Sequence, residues 1–217
     1  MGLAALPQRL WRNYAGGVTD LPTKYQNFLD ALGSAIAAEP QPATVQALTS
    51  RVLQAPGREA ALTPEPFAMD RKAAELLSGV DVAAQRPSLT RLWQAFAVLV
   101  PHLHWYARAL PDQPVIQGGH RHALIVGQSS ALIPCEQATI GVTVMVAGLE
   151  YPIHSHPPAE VYLPMTPGRF YNADQDWQQR EPGDCWYNPA GIDHSFAALP
   201  HQGFMSFWLL GPASAHP

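Results

Sequence analysis

The spacing of apolar residues changes from helical to extended near the middle of the chain. Tyr25, Phe28, Leu29, Leu32 and Ile36 recur three and four apart, which predicts an amphipathic helix with Thr19 or Asp20 placed to cap its start. A second helix is expected over 43–53, introduced by Pro42 and stopped by Pro56-Gly57, and a short third over 70–77. The strongest stripe is Leu89, Leu92, Trp93, Phe96 and Leu99 within 88–100, after which Pro101 should bend or end the helix. Past Gly119 the apolar runs shorten and fill with Val, Ile, Tyr, Phe and Trp: 122–126, 139–147, 160–165, 184–187, 194–197 and 204–210. Gly118-Gly119, Pro157-Pro158, Pro167-Gly168, Pro182-Gly183 and Pro189-Ala190-Gly191 punctuate them.

Strands at this density, each bounded by turn residues, predict a mainly β fold of sandwich or small-barrel type. The expected organisation is a helical N-terminal extension over 1–113 and a β-barrel over 114–217. The helices would pack outside the barrel or form an oligomer interface, so a homodimer is left open. The residues from Pro212 onward read as loose.

At 217 residues and 47% hydrophobic, the chain can bury one substantial core. The net charge is −4, only 14% of residues are charged, and no Lys/Arg-dense stretch could follow a phosphate backbone, so nucleic acid is not an expected partner. The most apolar window, 89–110, holds Arg91, Gln94, Pro101, His102, His104 and Arg108, too many polar groups for a membrane span. Pro7 interrupts an N-terminal apolar stretch too short for a signal-peptide core, and Leu6 breaks the myristoylation pattern. Cys135 and Cys185 make no disulfide framework. A soluble, reduced, cytoplasmic protein acting on a small molecule is expected.

Nine histidines are many for this length, and their spacing is informative. His154 and His156 are two apart, so a strand would project both from one face. Glu160 and Tyr162 keep that even spacing and share the face if Pro157-Pro158 makes a compact turn. A second stretch, GDCWYNPAGIDH, ends in a Pro-Ala-Gly turn that presents His194. Taken alone, the histidine pair could equally be barrel-lining imidazoles bonded to backbone. With Glu160 and His194 added, three imidazoles and a carboxylate make a site for one divalent transition metal: Fe, Mn, Zn, Co or Ni. His102 and His104 beyond Pro101, and His120 and His122 beside Arg121, read as surface or capping residues, although one of them could reach a pocket mouth. Arg121 and Arg169 read as solvated, His201 and His216 as loop and tail, and Cys185 as a small buried hydrophobe.

From Gly148 the first stretch reads glycine, five residues, His154, one residue, His156, three residues, Glu160. From Gly183 the second reads glycine, five residues, Pro189, one residue, Gly191, two residues, His194. Both resemble the two signature motifs of the cupin superfamily, in which these positions hold a metal inside a jelly-roll barrel. Two positions depart from that pattern: the closing glycine of the first motif falls one residue late at Gly168, and Ala198 replaces the usual Asn. Neither is a ligand position. The string Tyr-Pro-x-His-x-His-Pro-Pro-x-Glu-x-Tyr over 151–162 further resembles the cupin-type dimethylsulfoniopropionate (DMSP) lyases of marine bacteria. That resemblance implies a jelly roll with an N-terminal helical segment and a metal held by His154, His156, Glu160 and His194. It also implies Tyr162 as catalytic base and Tyr151 as a second catalytic residue.

The implied reaction removes a proton from the carbon next to a carboxylate and expels dimethyl sulfide, leaving acrylate. A divalent cation on the carboxylate would stabilise the developing charge. A phenol with an ordinary pKa of about 10 becomes available as phenolate beside a dication. The sulfonium end suits aromatic faces, each contributing about 0.5–2 kcal/mol. Trp186, Tyr187, Phe207 and Trp208 are the candidates, with the inward member of each pair left open. Two other readings compete: an iron-dependent dioxygenase acting on a small polar substrate, and a non-catalytic small-molecule-binding cupin. Residues 1–113 show no basic recognition helix that would give such a sensor an effector domain.

Overall fold

A computed structural model describes residues 21–56, 69–82, 86–109, 114–128 and 130–212. Thr19, Asp20, Gly57 and His216, and with them part of the expected first cap, the second helix's stop and the tail, lie outside the described residues. Among the described residues, four α-helices precede the sheets: α1 (Leu21–Ala37), α2 (Ala43–Gln54), α3 (Arg71–Ser78) and α4 (Pro87–Ala97). Pro42 stands immediately before α2, and the Asp70 carboxylate caps α3 by accepting the Ala73 N–H at 2.7 Å. Pro87 opens α4, where its missing N–H costs nothing. That helix stops at Ala97, and Pro101 falls in a separate 3-10 turn, Val100–His102. No described helix is long and apolar enough to cross a membrane.

The strands are β1 (Trp105–Tyr106), β2 (His120–Gly127), β3 (Ile133–Pro134), β4 (Thr139–Met145), β5 (Glu160–Pro164), β6 (Gly168–Asn172), β7 (Gln178–Arg180), β8 (Trp186–Asn188), β9 (His194–Ala198) and β10 (Phe204–Leu210). The larger sheet runs β1-β2-β4-β10-β5-β8 with β3 parallel to β2, and the smaller runs β7-β6-β9. From β5 onward the chain passes back and forth between the two sheets, with β5, β8 and β10 in the larger and β6, β7 and β9 in the smaller. They close as a pair, with no closed barrel among the described residues. A short helix, α5 (Pro114–Gly119), occupies the expected boundary between the halves. The unexpected β6 and β7 read Gly-Arg-Phe-Tyr-Asn and Gln-Gln-Arg, which is too polar for an apolar run to reveal.

Alternation sorts the larger sheet's side chains into two environments. Ile140, Val142 and Val144 of β4, Val161 and Leu163 of β5, and Met205, Phe207 and Leu209 of β10 pack against the helices, joining Phe28, Leu32, Leu92 and Phe96 in one core. The opposite face presents Tyr162, Trp186 and Phe204, which interdigitate with Phe170 and Phe196 of the smaller sheet. Burial on both faces explains why β5 and β10 read as nearly unbroken apolar strings.

Phe207 bridges sheet and helices, its ring centroid 5.5 Å from Phe28 and 5.1 Å from Phe96. Phe207→Ala should therefore cost about 3–5 kcal/mol of stability, measured by urea unfolding. A cost below about 1 kcal/mol would show that the helical layer is not packed on this sheet.

Candidate metal centre

The backbone brings the two histidine stretches together before any side chain is considered. Glu150 pairs with Ala197 and His154 with His194 in isolated antiparallel bridges, so residues 149–154 run alongside β9. His154 N–H donates to His194 O at 3.0 Å, and His194 N–H returns to His154 O at 2.9 Å. Directly opposite residues present their side chains on one face, and the two imidazole centroids lie 4.2 Å apart. His156 lies 4.8 Å from His194 by ring centroid. Gly191, at φ 73°, takes the left-handed turn before His194 and donates its N–H to His156 O at 3.0 Å, tying the stretches at a second point. One ring nitrogen from each of His154, His156 and His194 lies within 4.8 Å of the others. Glu160, the first residue of β5, is buried, with Oε2 3.1 Å from His194 Nε2 and 3.6 Å from His156 Nε2.

Each imidazole is oriented by a backbone carbonyl. His154 Nδ1 lies 2.9 Å from Pro152 O, His156 Nδ1 2.9 Å from Pro158 O, and His194 Nδ1 2.9 Å from Ile192 O. A carbonyl only accepts, so each Nδ1 carries a proton and each ring turns its Nε2 to the interior. His194 Nε2 is buried and makes no hydrogen bond despite the Glu160 oxygen 3.1 Å away. At that distance the nitrogen and the carboxylate oxygen need a cation between them, a proton or a metal ion. This donor set therefore fits a borderline divalent ion.

The surroundings hold Glu160 ionised. Burial pushes its pKa upward, but His156 and His194 outweigh that and bring it to about 2. Burial opposes the charged form of His156 as well, yet Glu160 raises its pKa overall. The Asn188 side-chain amide donates to Glu160 Oε2 at 3.3 Å, while its own oxygen accepts from Trp186 Nε1 at 2.8 Å and Asn172 Nδ2 at 3.2 Å. The carboxylate is thus held from behind.

Beside these residues lies a cavity of about 150 Å³. Tyr162 stands two residues past Glu160 on β5 and shares its inward face. Burial, then the neighbouring Glu160 charge, push its phenol well above the ordinary value of 10. Tyr151 lies on a non-strand segment ahead of Pro152, which frees it from strand alternation and lets its odd-numbered side chain reach the same cavity. Its ring stacks on Phe196 at 4.8 Å and meets His154 edge-on at 5.2 Å. Burial raises its pKa, and a hydrogen bond from Arg108 partly offsets this.

Of the four aromatics expected to receive a cation, only Trp208 lines the cavity. Its indole lies over its cross-strand partner Gly141, where an added Cβ would come within 2.2 Å of the ring. Phe207, one residue earlier, turns to the helical face by alternation, and Tyr187 likewise packs against that core. Trp186 faces inward but packs on Phe170 and under the Arg180 guanidinium at 4.8 Å, outside the cavity lining.

Tyr106, Arg108, His122, Thr143 and Phe196 also wall the cavity; of these only His122 is among the expected candidates, as one of four histidines of which one could reach a pocket mouth. His120 and His122 are buried rather than surface or capping residues, at 0% and 7% exposure. Their two-residue spacing matches that of His154 and His156 and was the available signal. Tyr106 and Arg108 belong to or follow the two-residue strand β1, too short for any pattern to announce. Arg121 pairs with Asp70 at 3.1 Å and Arg169 with Glu150 at 3.4 Å, both away from the cavity.

The buried imidazoles give the fold a definite pH response. Burial, aided by neighbouring positive charge, lowers the pKa of His122 to about 3 and that of His154 to about 4. An unfolded chain takes up these protons below the ordinary 6.5, whereas the folded chain does not. This stabilisation is complete above pH 6.5 and is lost as pH falls through the folded values. Urea unfolding of metal-free protein should show stability falling from pH 7 toward pH 4, and His122→Phe should flatten that slope by roughly one proton. Slopes that coincide would contradict the buried neutral assignment.

Residues 42–203 match the family model for DMSP lyase. The fold is similar to that of DMSP lyase DddQ from Ruegeria pomeroyi DSS-3, with 23% identity, a TM-score of 0.64, and coverage of 90% of this chain and 94% of that one. It is also similar to a chain from the structures of the DMSP lyases RdDddP and RnDddQII, with 17% identity, a TM-score of 0.65, and coverage of 89% and 94%. No curated protein matches the sequence. These structural likenesses establish the cupin architecture that the two histidine stretches imply. Because the family match spans most of its length, the chain belongs to the DMSP lyase family, carbon–sulfur lyases.

Proposed function

We propose that the protein cleaves DMSP to dimethyl sulfide and acrylate by β-elimination, using a divalent metal held by His154, His156, Glu160 and His194, with Tyr162 as the base. The observation that carries this reading is the convergence of three imidazole nitrogens, with the buried Glu160 carboxylate 3.1 Å from His194 and a phenol next along the same strand face. When bound, the metal would polarise the substrate carboxylate and lower the pKa of the nearby phenol.

Tyr162 is a poor base on its own, since burial and Glu160 both keep its proton on. Its use is therefore tied to the presence of positive charge in the site, which guards against an idle buried phenolate. Once its own proton has left to solvent under the charge a bound metal would supply, the Tyr162 phenolate Oη takes the proton from the carbon next to the carboxylate. The electron pair left behind forms the carbon–carbon double bond of acrylate, and the carbon–sulfur bond breaks with its pair leaving on sulfur as neutral dimethyl sulfide. Tyr151, packed against Phe196 and His154 with the Arg108 charge nearby, positions the substrate. The Trp208 face offers the sulfonium a site without a charge pair, contributing about 0.5–2 kcal/mol. In this reading residues 114–217 carry the metal, and the helical segment 1–113 is more than a support, because its Tyr106 and Arg108 wall the cavity.

Purified protein reloaded separately with Mn, Fe, Co, Ni and Zn should release dimethyl sulfide from DMSP into the headspace, equally with and without oxygen. Tyr162→Phe should retain the metal yet lose roughly 10²–10⁴-fold in turnover. Near-normal turnover would remove it as base, and an oxygen requirement would favour a dioxygenase. Asn188→Ala should weaken metal binding roughly 10–100-fold in a chelator competition, because the Glu160 carboxylate loses its support. An unchanged affinity would show that Asn188 does not orient a ligand.

A further inference from the structure

We propose that His122 and Arg108 form a carboxylate-anchoring subsite in the cavity wall, fixed in place by a hydrogen-bond relay through Thr143 to Trp208. The proposal takes the identity of the carboxylate from the reading above, but its geometry stands on separate residues.

Trp208 Nε1 can only donate, and it donates to Thr143 Oγ1 at 3.1 Å. The Thr143 hydroxyl is buried, and its remaining hydrogen has one described acceptor within reach, His122 Nδ1 at 2.7 Å. His122 Nδ1 is then an acceptor, and the ring proton sits on Nε2. This is the opposite tautomer from His154, His156 and His194, whose Nδ1 atoms donate to carbonyls. The cavity consequently holds two kinds of imidazole. Three present lone pairs, which suit a cation; His122 presents an N–H, which suits an anion.

Nothing in the described protein uses that N–H, and His122 lines the cavity. Its neighbour His120 is fully occupied, with Nδ1 bonded to Ile116 O and Nε2 accepting the Arg108 backbone N–H at 3.1 Å. This second bond fixes the backbone that carries Arg108. Arg108 is the sole Lys or Arg among the residues lining the cavity, and it makes no ion pair with any described carboxylate. Its side chain reaches the Tyr151 phenol. A guanidinium and a neutral N–H on one wall repel a sulfonium and attract a carboxylate. The corner therefore sets the direction in which a zwitterion lies: acid end toward His122 and Arg108, cationic end away from them along Trp208.

The test is calorimetric titration of metal-loaded protein with acrylate and with propionamide, an uncharged saturated amide of the same chain length, alongside the KM and kcat for DMSP. His122→Phe, which keeps the ring volume without a donor, should weaken acrylate binding and raise KM by about tenfold or more, with kcat changed far less. Propionamide binding should not move. His122→Gln, which restores an N–H at a similar reach, should recover most of the loss. Arg108→Met alters an exposed side chain, so it can be read even if His122→Phe fails to fold, and it should weaken acrylate by a similar factor. Unchanged acrylate affinity in Arg108→Met and in whichever His122 variant folds, or a fall in kcat alone, would overturn the subsite, as would wild-type protein that binds no acrylate. Wild-type protein that binds acrylate through His122 and Arg108 but releases no dimethyl sulfide would sink the proposed reaction and leave the subsite standing.

Discussion

A buried carboxylate facing a buried imidazole nitrogen that makes no hydrogen bond is the constraint on which this molecule turns. Glu160 and His194 are both almost fully enclosed, their nearest polar atoms are 3.1 Å apart, and the imidazole proton is committed to the Ile192 carbonyl on the far side of the ring. Such a pair is tolerable only with positive charge between its members, whether a proton or a metal ion. The fold holds the pair rigidly. The His154–His194 bridge and the Gly191–His156 hydrogen bond lock the imidazoles to the smaller sheet, while β5 and the Asn188 amide lock the carboxylate to the larger one.

The same two-sheet arrangement explains why polar chemistry survives inside a hydrophobic sandwich. The larger sheet sends one face to the helices, through residues such as Val142, Val161 and Phe207, and keeps the other for the interior. Its inward positions include His122, Thr143, Glu160, Tyr162 and Trp208, interleaved with the outward apolar ones. Four of these five have a hydrogen-bond partner: Thr143 for His122 and Trp208, and Asn188 for Glu160. A buried polar group that is satisfied costs little, and a satisfied network fixes side-chain orientation. Pairing is also what distinguishes the imidazoles, since Nδ1 faces a carbonyl in His154, His156 and His194 and a hydroxyl in His122.

The sequence disclosed the parts governed by local period and withheld those governed by pairing. The helical stripes from Tyr25 to Ile36 and from Leu89 to Phe96 are visible because helix packing needs one apolar face. His154, His156, Glu160 and Tyr162 share a period of two, and they do meet at one cavity, with His194 beside them. By contrast β1 is only two residues long, and Tyr106 and Arg108 reach the cavity because β1 pairs with β2, a contact between distant segments that no local pattern encodes. The aromatic pairs were ambiguous for a related reason. Both faces of β8 and β10 are buried, so apolar character cannot say which of Phe207 and Trp208 points inward; Gly141 opposite Trp208 decides it by leaving room for an indole. His120 and His122 carried the same even spacing as the metal pair, but an imidazole's burial depends on partners such as Ile116 and Thr143 that lie outside its own strand.

The central claim is that four side chains from two stretches share one cation, and elemental analysis of untagged protein after mild metal reloading tests it most directly. The account predicts one divalent transition-metal ion per chain, lost in parallel when His194 and Glu160 are replaced by alanine. Absence of a stoichiometric ion from the intact protein would contradict it.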